Sequence, residues 1–123
     1  AIPDSGEDPY ASDTYMGAMR TGIERLQSMF EGCQLVLITP NFIKYNNFGT
    51  NPVGETESVY EDYVNAVREL GGEYALPVLD FYMDMGIDRD NFTDYLQDEI
   101  HPNETSRFNM GMHILDLLRE LLA

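Results

Sequence analysis

The residues best suited to chemistry lie in the block 98–103, with the sequence Asp-Glu-Ile-His-Pro-Asn. Asp98 lies three residues before His101, so its carboxylate can accept a hydrogen bond from one imidazole nitrogen while the other nitrogen faces a substrate or nucleophile. Such a pair fixes the tautomer of the histidine and stabilises its protonated form, as a general base beside a serine requires. Because Pro102 biases His101 away from helical backbone angles, the pair is expected in a loop.

The spacing alone leaves a structural interpretation open. A loop histidine often makes a hydrogen bond to a nearby carboxylate without any chemistry, and 22 acidic residues make such spacings common by chance. The other histidine, His113, falls among Asn109 and Asp116 and is predicted to be a solvated helix residue. Two distant histidines without ligand spacing predict no metal site.

Composition narrows the classes of function. The chain has 123 residues, 43% of them hydrophobic, which fits one compact domain or part of one. Seven basic and 22 acidic residues give a net charge of −15, so nucleic acid is not an expected partner. No apolar run approaches the length of a membrane span, and the chain is expected to be soluble. Cys33 is the only cysteine, and its apolar neighbours predict a buried, inert thiol.

Two short apolar runs determine the predicted fold class. Residues 34–40 and 75–82 are nearly continuous in apolar side chains, as is typical of strands buried on both faces of a parallel sheet. A turn-rich loop and a helix separate them, which indicates a strand-helix-strand unit of an α/β fold. A sheet of only two parallel strands would leave backbone hydrogen-bonding groups and aliphatic side chains exposed, so further strands are expected.

Apolar spacing and capping residues predict the helices that surround this sheet. After a loop over 1–12, the longer helices are predicted over 13–31, 58–70 and 104–122. Asp13 is the expected N-cap of the first, and Gly71-Gly72 the expected end of the second. A short helix should contain Phe92 and Tyr95. The apolar stripe of the last helix, which includes Phe108, is expected to close the domain.

The order of these pieces resembles the second half of the SGNH/GDSL hydrolase family, over nearly the whole chain. The matching blocks are Asp13-Thr14-Tyr15, Val36-Leu37-Ile38-Thr39-Pro40, the run Val78-Leu79-Asp80-Phe81-Tyr82, and the closing Asp98, His101, Pro102 and Asn103. The closing block is the most specific. The resemblance implies a flavodoxin-like three-layer α/β/α fold with a parallel sheet, in which residues 1–123 form the C-terminal portion of one domain. It also implies that Asp98 and His101 are catalytic.

The resemblance further implies groups that this chain does not carry. In the family, the serine nucleophile follows the first strand in a glycine-aspartate-serine motif, and an asparagine block helps to form the oxyanion hole. Neither block occurs here, and Ser5 has no strand before it. The nucleophile and the family's first strands, beside Leu35 to Ile38, are therefore expected in an N-terminal segment or a partner chain.

The expected function is hydrolysis of acyl or acetyl esters through an acyl-enzyme, with His101 as base and then acid and Asp98 as its orienting carboxylate. No cofactor is expected, and the substrate class extends over lipid, small-molecule and carbohydrate esters. Asn41, Tyr45 and Asn46 follow a strand end and are predicted to contact substrate, with loop solvation as the alternative. The alternative function is a noncatalytic interaction or structural fragment of the same fold.

Overall fold

The computed structural model describes residues 8–44 and 60–123. Its elements in chain order are α1 (Tyr15–Met29), β1 (Leu37–Ile38), α2 (Tyr60–Glu73), β2 (Val78–Leu79), α3 (Phe92–Tyr95) and α4 (Glu104–Leu121). The described residues combine helices with a small parallel sheet, so the α/β class predicted from the sequence is confirmed. Residues 8–12 form turns before α1 begins.

The two strands pair in parallel, with the register Leu37↔Val78 and Ile38↔Leu79. The Leu37 N–H donates to the Pro77 carbonyl at 3.0 Å, so the proline lies just before β2, where its missing N–H removes no ladder bond. Both strands are shorter than the apolar runs 34–40 and 75–82. A two-stranded sheet gives each strand hydrogen-bond partners on one side only, which limits the length over which regular pairing forms.

Gly71 lets α2 lie close against the sheet. A Cβ atom at this position would overlap the Val78 side chain, so no larger residue fits without a shift of the helix. The prediction that Gly71-Gly72 ends the helix is wrong, because α2 continues through both residues to Glu73. The chain turns at Ala75, which has a φ of 53°.

The start of α1 is fixed by Thr14 rather than by Asp13. The Thr14 hydroxyl accepts the Gly17 N–H at 3.1 Å and donates to the Ala11 carbonyl at 2.9 Å. Thr14 therefore satisfies one of the free N–H groups of the first turn and ties the helix to the preceding loop.

Cys33 lies in the turn between α1 and β1. The turn contains Gly32 at a φ of 79°, and Cys33 is exposed. The prediction of a buried thiol is wrong, because the residue precedes the strand instead of belonging to its buried part.

Two apolar clusters hold the elements together. The first joins α1, α2 and the sheet through Met16, Ile23, Leu37, Ala66, Val67 and Leu70. The second joins α2 to the segments after the strands through Phe42, Val64, Phe81, Tyr82, Met85, Ile87 and Leu96. Leu96 lies just before the block 98–103, so the second cluster supports the loop that carries Asp98 and His101.

The helix α4 is the least covered element. Ser106 is its one buried residue among the eighteen. The stripe predicted to close the domain is exposed, from 38% at Leu115 to 83% at Leu122. Within residues 8–44 and 60–123, nothing covers this face, so the predicted closure does not occur in the part of the chain that is described.

The length and polarity of a helix decide whether it could cross a membrane. The longest helix, α4, has 18 residues and includes Arg107, Asp116, Arg119 and Glu120. In the described part of the chain, none of the helices combines the length and the apolar character needed to cross a membrane.

Candidate active site

Asp98 and His101 meet within one loop. Nδ1 of His101 lies 2.7 Å from Oδ2 of Asp98. The other carboxylate oxygen, Oδ1, accepts the main-chain N–H of Ile100 at 2.8 Å and that of His101 at 2.6 Å. The main chain therefore fixes the carboxylate, and the carboxylate orients the ring.

These hydrogen bonds favour the ionised form of Asp98. The His101 N–H, the His101 side chain and the Ile100 N–H together lower the pKa of Asp98 from 3.8 to about 2. An ionised carboxylate only accepts hydrogen bonds, so Nδ1 of His101 carries the proton and Nε2 of the neutral ring keeps its lone pair. The His101 side chain is 65% exposed, and no hydrogen bond from the described residues engages Nε2.

Short-range contacts close the loop that carries the pair. The Gln97 N–H donates to the His101 carbonyl at 2.9 Å, and Leu96 and Pro102 form an antiparallel bridge. Arg107, in the first turn of α4, donates to the Pro102 carbonyl at 2.7 Å. The backbone of the loop is thus held by residues that lie close to it in sequence.

Asn103 connects the loop to α3 and α4. Its side-chain oxygen accepts the Ser106 N–H at 3.0 Å, which makes it the N-cap of α4. Its side-chain amide donates to the Asp94 carbonyl at 2.8 Å, and its main-chain N–H donates to the Tyr95 carbonyl at 2.8 Å. The buried Ser106 hydroxyl donates to the same Tyr95 carbonyl at 2.6 Å. The last residue of the block therefore positions the loop.

A second polar cluster lies at the carboxyl ends of the strands. Thr39 is 2% exposed, and its hydroxyl accepts the Tyr82 N–H at 3.1 Å and donates to Asp80 at 3.3 Å. Arg68 of α2 donates to Asp80 at 2.8 Å. Partial burial raises the pKa of Asp80, but the hydrogen bonds from Arg68 and the Met83 N–H outweigh this effect and lower the pKa overall. Local sequence patterns do not indicate this cluster, because its members belong to different elements.

The segment after β1 reaches the Asp98/His101 loop. The Asn41 amide nitrogen donates to the Ile100 carbonyl at 3.1 Å and to the Phe42 carbonyl at 2.9 Å. The Lys44 N–H donates to the Glu99 carbonyl at 2.9 Å. Two segments far apart in sequence are therefore paired beside the candidate catalytic residues.

Asn41 is the one predicted substrate contact that the structure describes. Tyr45 and Asn46 lie outside the described residues. A cavity of about 430 Å³ opens beside Asp98, on the same side of the loop as Lys44 and Phe92. The Lys44 ammonium lies 5.0 Å from the centre of the Phe92 ring and 3.2 Å from Oε1 of Glu99, so one wall of this cavity combines an ion pair with an aromatic ring.

The remaining candidate residues lie apart from the pair. His113 is exposed on α4, as predicted. Ser5 lies outside the described residues, and Ser106 is buried with its hydroxyl bonded to Tyr95. Among residues 8–44 and 60–123, no serine hydroxyl is hydrogen-bonded to His101 and no group of three potential metal ligands occurs.

The chain is similar to known proteins over most of its length. The model of the GDSL-like Lipase/Acylhydrolase family matches residues 3–106. The crystal structure of a protein from Lactobacillus plantarum has a TM-score of 0.73 at 21% identity, over 87% of this chain and 54% of that chain. A second crystal structure has a TM-score of 0.64 at 20% identity, over 80% of this chain and 49% of that one. No curated protein matches. The chain spans about half the length of the solved structures that it resembles.

Proposed function

Because this chain belongs to the GDSL-like Lipase/Acylhydrolase family, we propose that it supplies the catalytic Asp98 and His101 of a serine ester hydrolase. The observation that carries the proposal is the 2.7 Å hydrogen bond between His101 Nδ1 and Asp98 Oδ2, with Nε2 on the exposed side of the ring. Family membership supports ester hydrolysis as the class of reaction. The geometry supports a general base whose tautomer is already fixed.

In the proposed reaction, Nε2 of His101 takes the proton of a serine hydroxyl as the serine oxygen attacks the ester carbonyl. Asp98 stays ionised and stabilises the imidazolium that forms. The tetrahedral intermediate then collapses, His101 gives its proton to the leaving alcohol, and the acyl group remains on the serine. Water, activated by the same Nε2, releases the acid and restores the serine hydroxyl. This chemistry requires no cofactor.

We assign the serine and the oxyanion hole to an N-terminal part of the same domain, as a further segment or a partner chain. The lengths of the solved structures support this, because the chain spans only 54% and 49% of them. The surface also supports it. Ile38 of β1 is 45% exposed, although parallel strands are normally covered on both faces, and the stripe of α4 is open. Further parallel strands beside β1 would complete a three-layer α/β/α arrangement.

The substrate of the proposed enzyme is an acyl or acetyl ester of a lipid, a small molecule or a carbohydrate. Asn41, Tyr45 and Asn46 remain the proposed substrate contacts, because they follow β1 at its carboxyl end, where sheets of this class bind ligands. The hydrogen bond from Asn41 to the Ile100 carbonyl supports this assignment for Asn41, since it places Asn41 beside the loop that carries His101.

A noncatalytic role is the second candidate. The observation that favours it is the open apolar face of α4, where Phe108 is 68% exposed. Such a face is typical of a surface that binds another polypeptide. In this alternative, the Asp98–His101 hydrogen bond only stabilises the loop.

Turnover of p-nitrophenyl acetate by the natural-length protein distinguishes the two candidates. His101→Ala is expected to lower kcat/KM roughly 10³- to 10⁴-fold, because the general base is lost. His113→Ala is the matched control, since it removes an exposed imidazole on α4, and its turnover should equal that of the parent protein. Equal turnover in the His101→Ala and parent proteins would refute the catalytic assignment.

A further inference from the structure

We propose that Asn41 is a positioning residue that holds the peptide unit between Ile100 and His101 and thereby fixes Asp98 and His101 for reaction. The catalytic consequence rests on the proposed function, which the inference deepens. The structural part of the inference rests on the hydrogen bonds alone. Asn41 lies 59 residues from Ile100 in sequence, so this contact joins the end of β1 to the loop before α4.

The peptide unit between Ile100 and His101 is held at both ends. Its carbonyl oxygen accepts the Asn41 amide at 3.1 Å, and its N–H donates to Asp98 Oδ1 at 2.6 Å. Because a peptide unit is planar, the direction of its carbonyl sets the direction of its N–H. A hydrogen bond accepted at the carbonyl also polarises the unit and strengthens its N–H as a donor. Asn41 therefore controls one of the two main-chain donors that anchor the Asp98 carboxylate, the N–H of His101.

Asn41 is itself held in place. The Tyr60 hydroxyl of α2 donates to the Asn41 carbonyl at 2.7 Å. Phe42, the next residue, is buried in the second apolar cluster. Thr39, two residues earlier, is bonded to the Tyr82 N–H and to Asp80. The side chain of Asn41 thus extends from a fixed backbone, as a positioning residue requires.

The donor capacity of the Asn41 amide is filled by the protein. A side-chain amide nitrogen has two hydrogens, and the Asn41 nitrogen donates to two main-chain carbonyls, those of Phe42 and Ile100. A substrate contact by Asn41 would therefore fall on its side-chain oxygen. Positioning and substrate binding are thus separable, because they use different atoms of the same group.

The test compares Asn41→Ala and Asn41→Asp with Asn65→Ala in the natural-length protein. Asn41→Asp keeps the size of the side chain but removes the donor. Asn65 is the control, because it is an exposed asparagine on α2 whose oxygen accepts a hydrogen bond from Arg68. The readouts are hydrogen exchange at the His101 amide and the kcat and KM for p-nitrophenyl acetate.

Both Asn41 variants are expected to speed exchange at the His101 amide about tenfold and to lower kcat about tenfold, as loss of one well-placed hydrogen bond predicts. KM should stay within about twofold in Asn41→Asp, which keeps a side-chain oxygen for the substrate, whereas Asn41→Ala also removes that oxygen and is expected to raise KM. Asn65→Ala should change none of these values. Exchange in the middle of α2, for example at the buried Val64, should also stay constant.

Three results would overturn the inference. Unchanged exchange at His101 in both Asn41 variants would show that Asn41 does not hold the peptide. A rise in KM with unchanged kcat and unchanged exchange would make Asn41 a substrate contact only. Faster exchange throughout α2 would assign any loss to general destabilisation. Failure of the proposed function would look different, because turnover would then survive His101→Ala while His101 exchange still responded to Asn41.

Discussion

The Asp98/His101 loop and the helix α4 are adjacent in the chain, yet the polar groups of the loop are hydrogen-bonded within this chain while the apolar stripe of the helix is exposed. In the loop, Asp98 receives its hydrogen bonds from residues two and three positions away, and Asn103 caps the helix that follows. In α4, Ser106 is the one buried residue and a stripe of large apolar side chains is open. The hydrogen bonds of the Asp98 carboxylate are therefore local, whereas residues 8–44 and 60–123 leave the apolar stripe of the adjoining helix uncovered.

This difference separates the orientation of the catalytic base from the supply of the nucleophile, which the proposed enzyme needs together. The orientation of His101 depends on contacts within this chain, including the longer-range contact to Asn41. The proposed nucleophile and oxyanion hole depend on whatever covers β1 and α4. Substitutions in the loop should therefore affect reaction rates, while substitutions on the open face should affect assembly and stability.

The largest expected effect concerns the carboxylate of the pair. Asp98→Asn should lower kcat roughly 10⁴-fold in the natural-length protein, because an amide N–H facing Nδ1 favours the wrong tautomer of His101. The asparagine oxygen can still accept the Ile100 and His101 N–H groups, so the loop should keep its shape. Steady-state kinetics with p-nitrophenyl acetate measure the effect. A loss of less than about tenfold would mean that Asp98 does not orient the base.

The next largest effect is expected on the free energy of unfolding, from a substitution on the open apolar face of α4. Phe108→Ala should destabilise the natural-length protein by about 3 kcal/mol if another part of the domain covers this face. His113→Ala, on the polar side of the same helix, should change the free energy of unfolding by less than about 0.5 kcal/mol. Urea denaturation measures both values. Equal, small effects would indicate that Phe108 stays exposed and that α4 is not completed by a further layer.

The packing of α2 against β2 provides a test within the described residues. Gly71→Ala should cost about 1–3 kcal/mol, because its methyl group would overlap the Val78 side chain. Gly72→Ala meets no atom within 4 Å and should be neutral or stabilise the helix by about 0.5–1 kcal/mol. Thermal unfolding of the two variants checks the difference. The same stability for both would contradict the close helix–strand contact.

The smallest expected effect is the contribution of Asp98 to stability as a function of pH. Its folded-state pKa of about 2 lies below the ordinary value of 3.8, so its contribution is present above about pH 4 and is lost as the pH falls toward 2. The difference in unfolding free energy between the parent and Asp98→Asn proteins should therefore shrink between pH 5 and pH 2.5. The side chain is 51% exposed, so the difference is small. A constant difference would contradict the lowered pKa.

The local part of the candidate site could be predicted from the sequence. Asp98 and His101 are three residues apart, and a proline after the histidine favours a loop, so the pairing follows from short-range rules. The two apolar runs likewise indicated a parallel α/β arrangement. These features were accessible because each depends on residues that are close together in the chain.

The long-range contacts could not be predicted in the same way. Thr39 and Asp80 are 41 residues apart, and the apolar pattern of the two runs does not give the register that brings these side chains together. Gly71 resembles a helix end in sequence, but its small size serves the contact with Val78 across space. Cys33 was expected to be buried because its neighbours are apolar, whereas the turn at Gly32 leaves it exposed. Tertiary packing overrides the local pattern at Gly71, and a turn does so at Cys33.

In the proposed enzyme, this chain provides the Asp–His pair and another part of the protein provides the serine. Labelling of the active, natural-length protein with a fluorophosphonate, followed by mass spectrometry of its peptides, identifies the reactive serine. We expect one modified serine outside residues 1–123, and loss of that modification in His101→Ala. Modification of a serine within residues 1–123, such as Ser5 or Ser106, or labelling that persists in His101→Ala, would contradict this assignment.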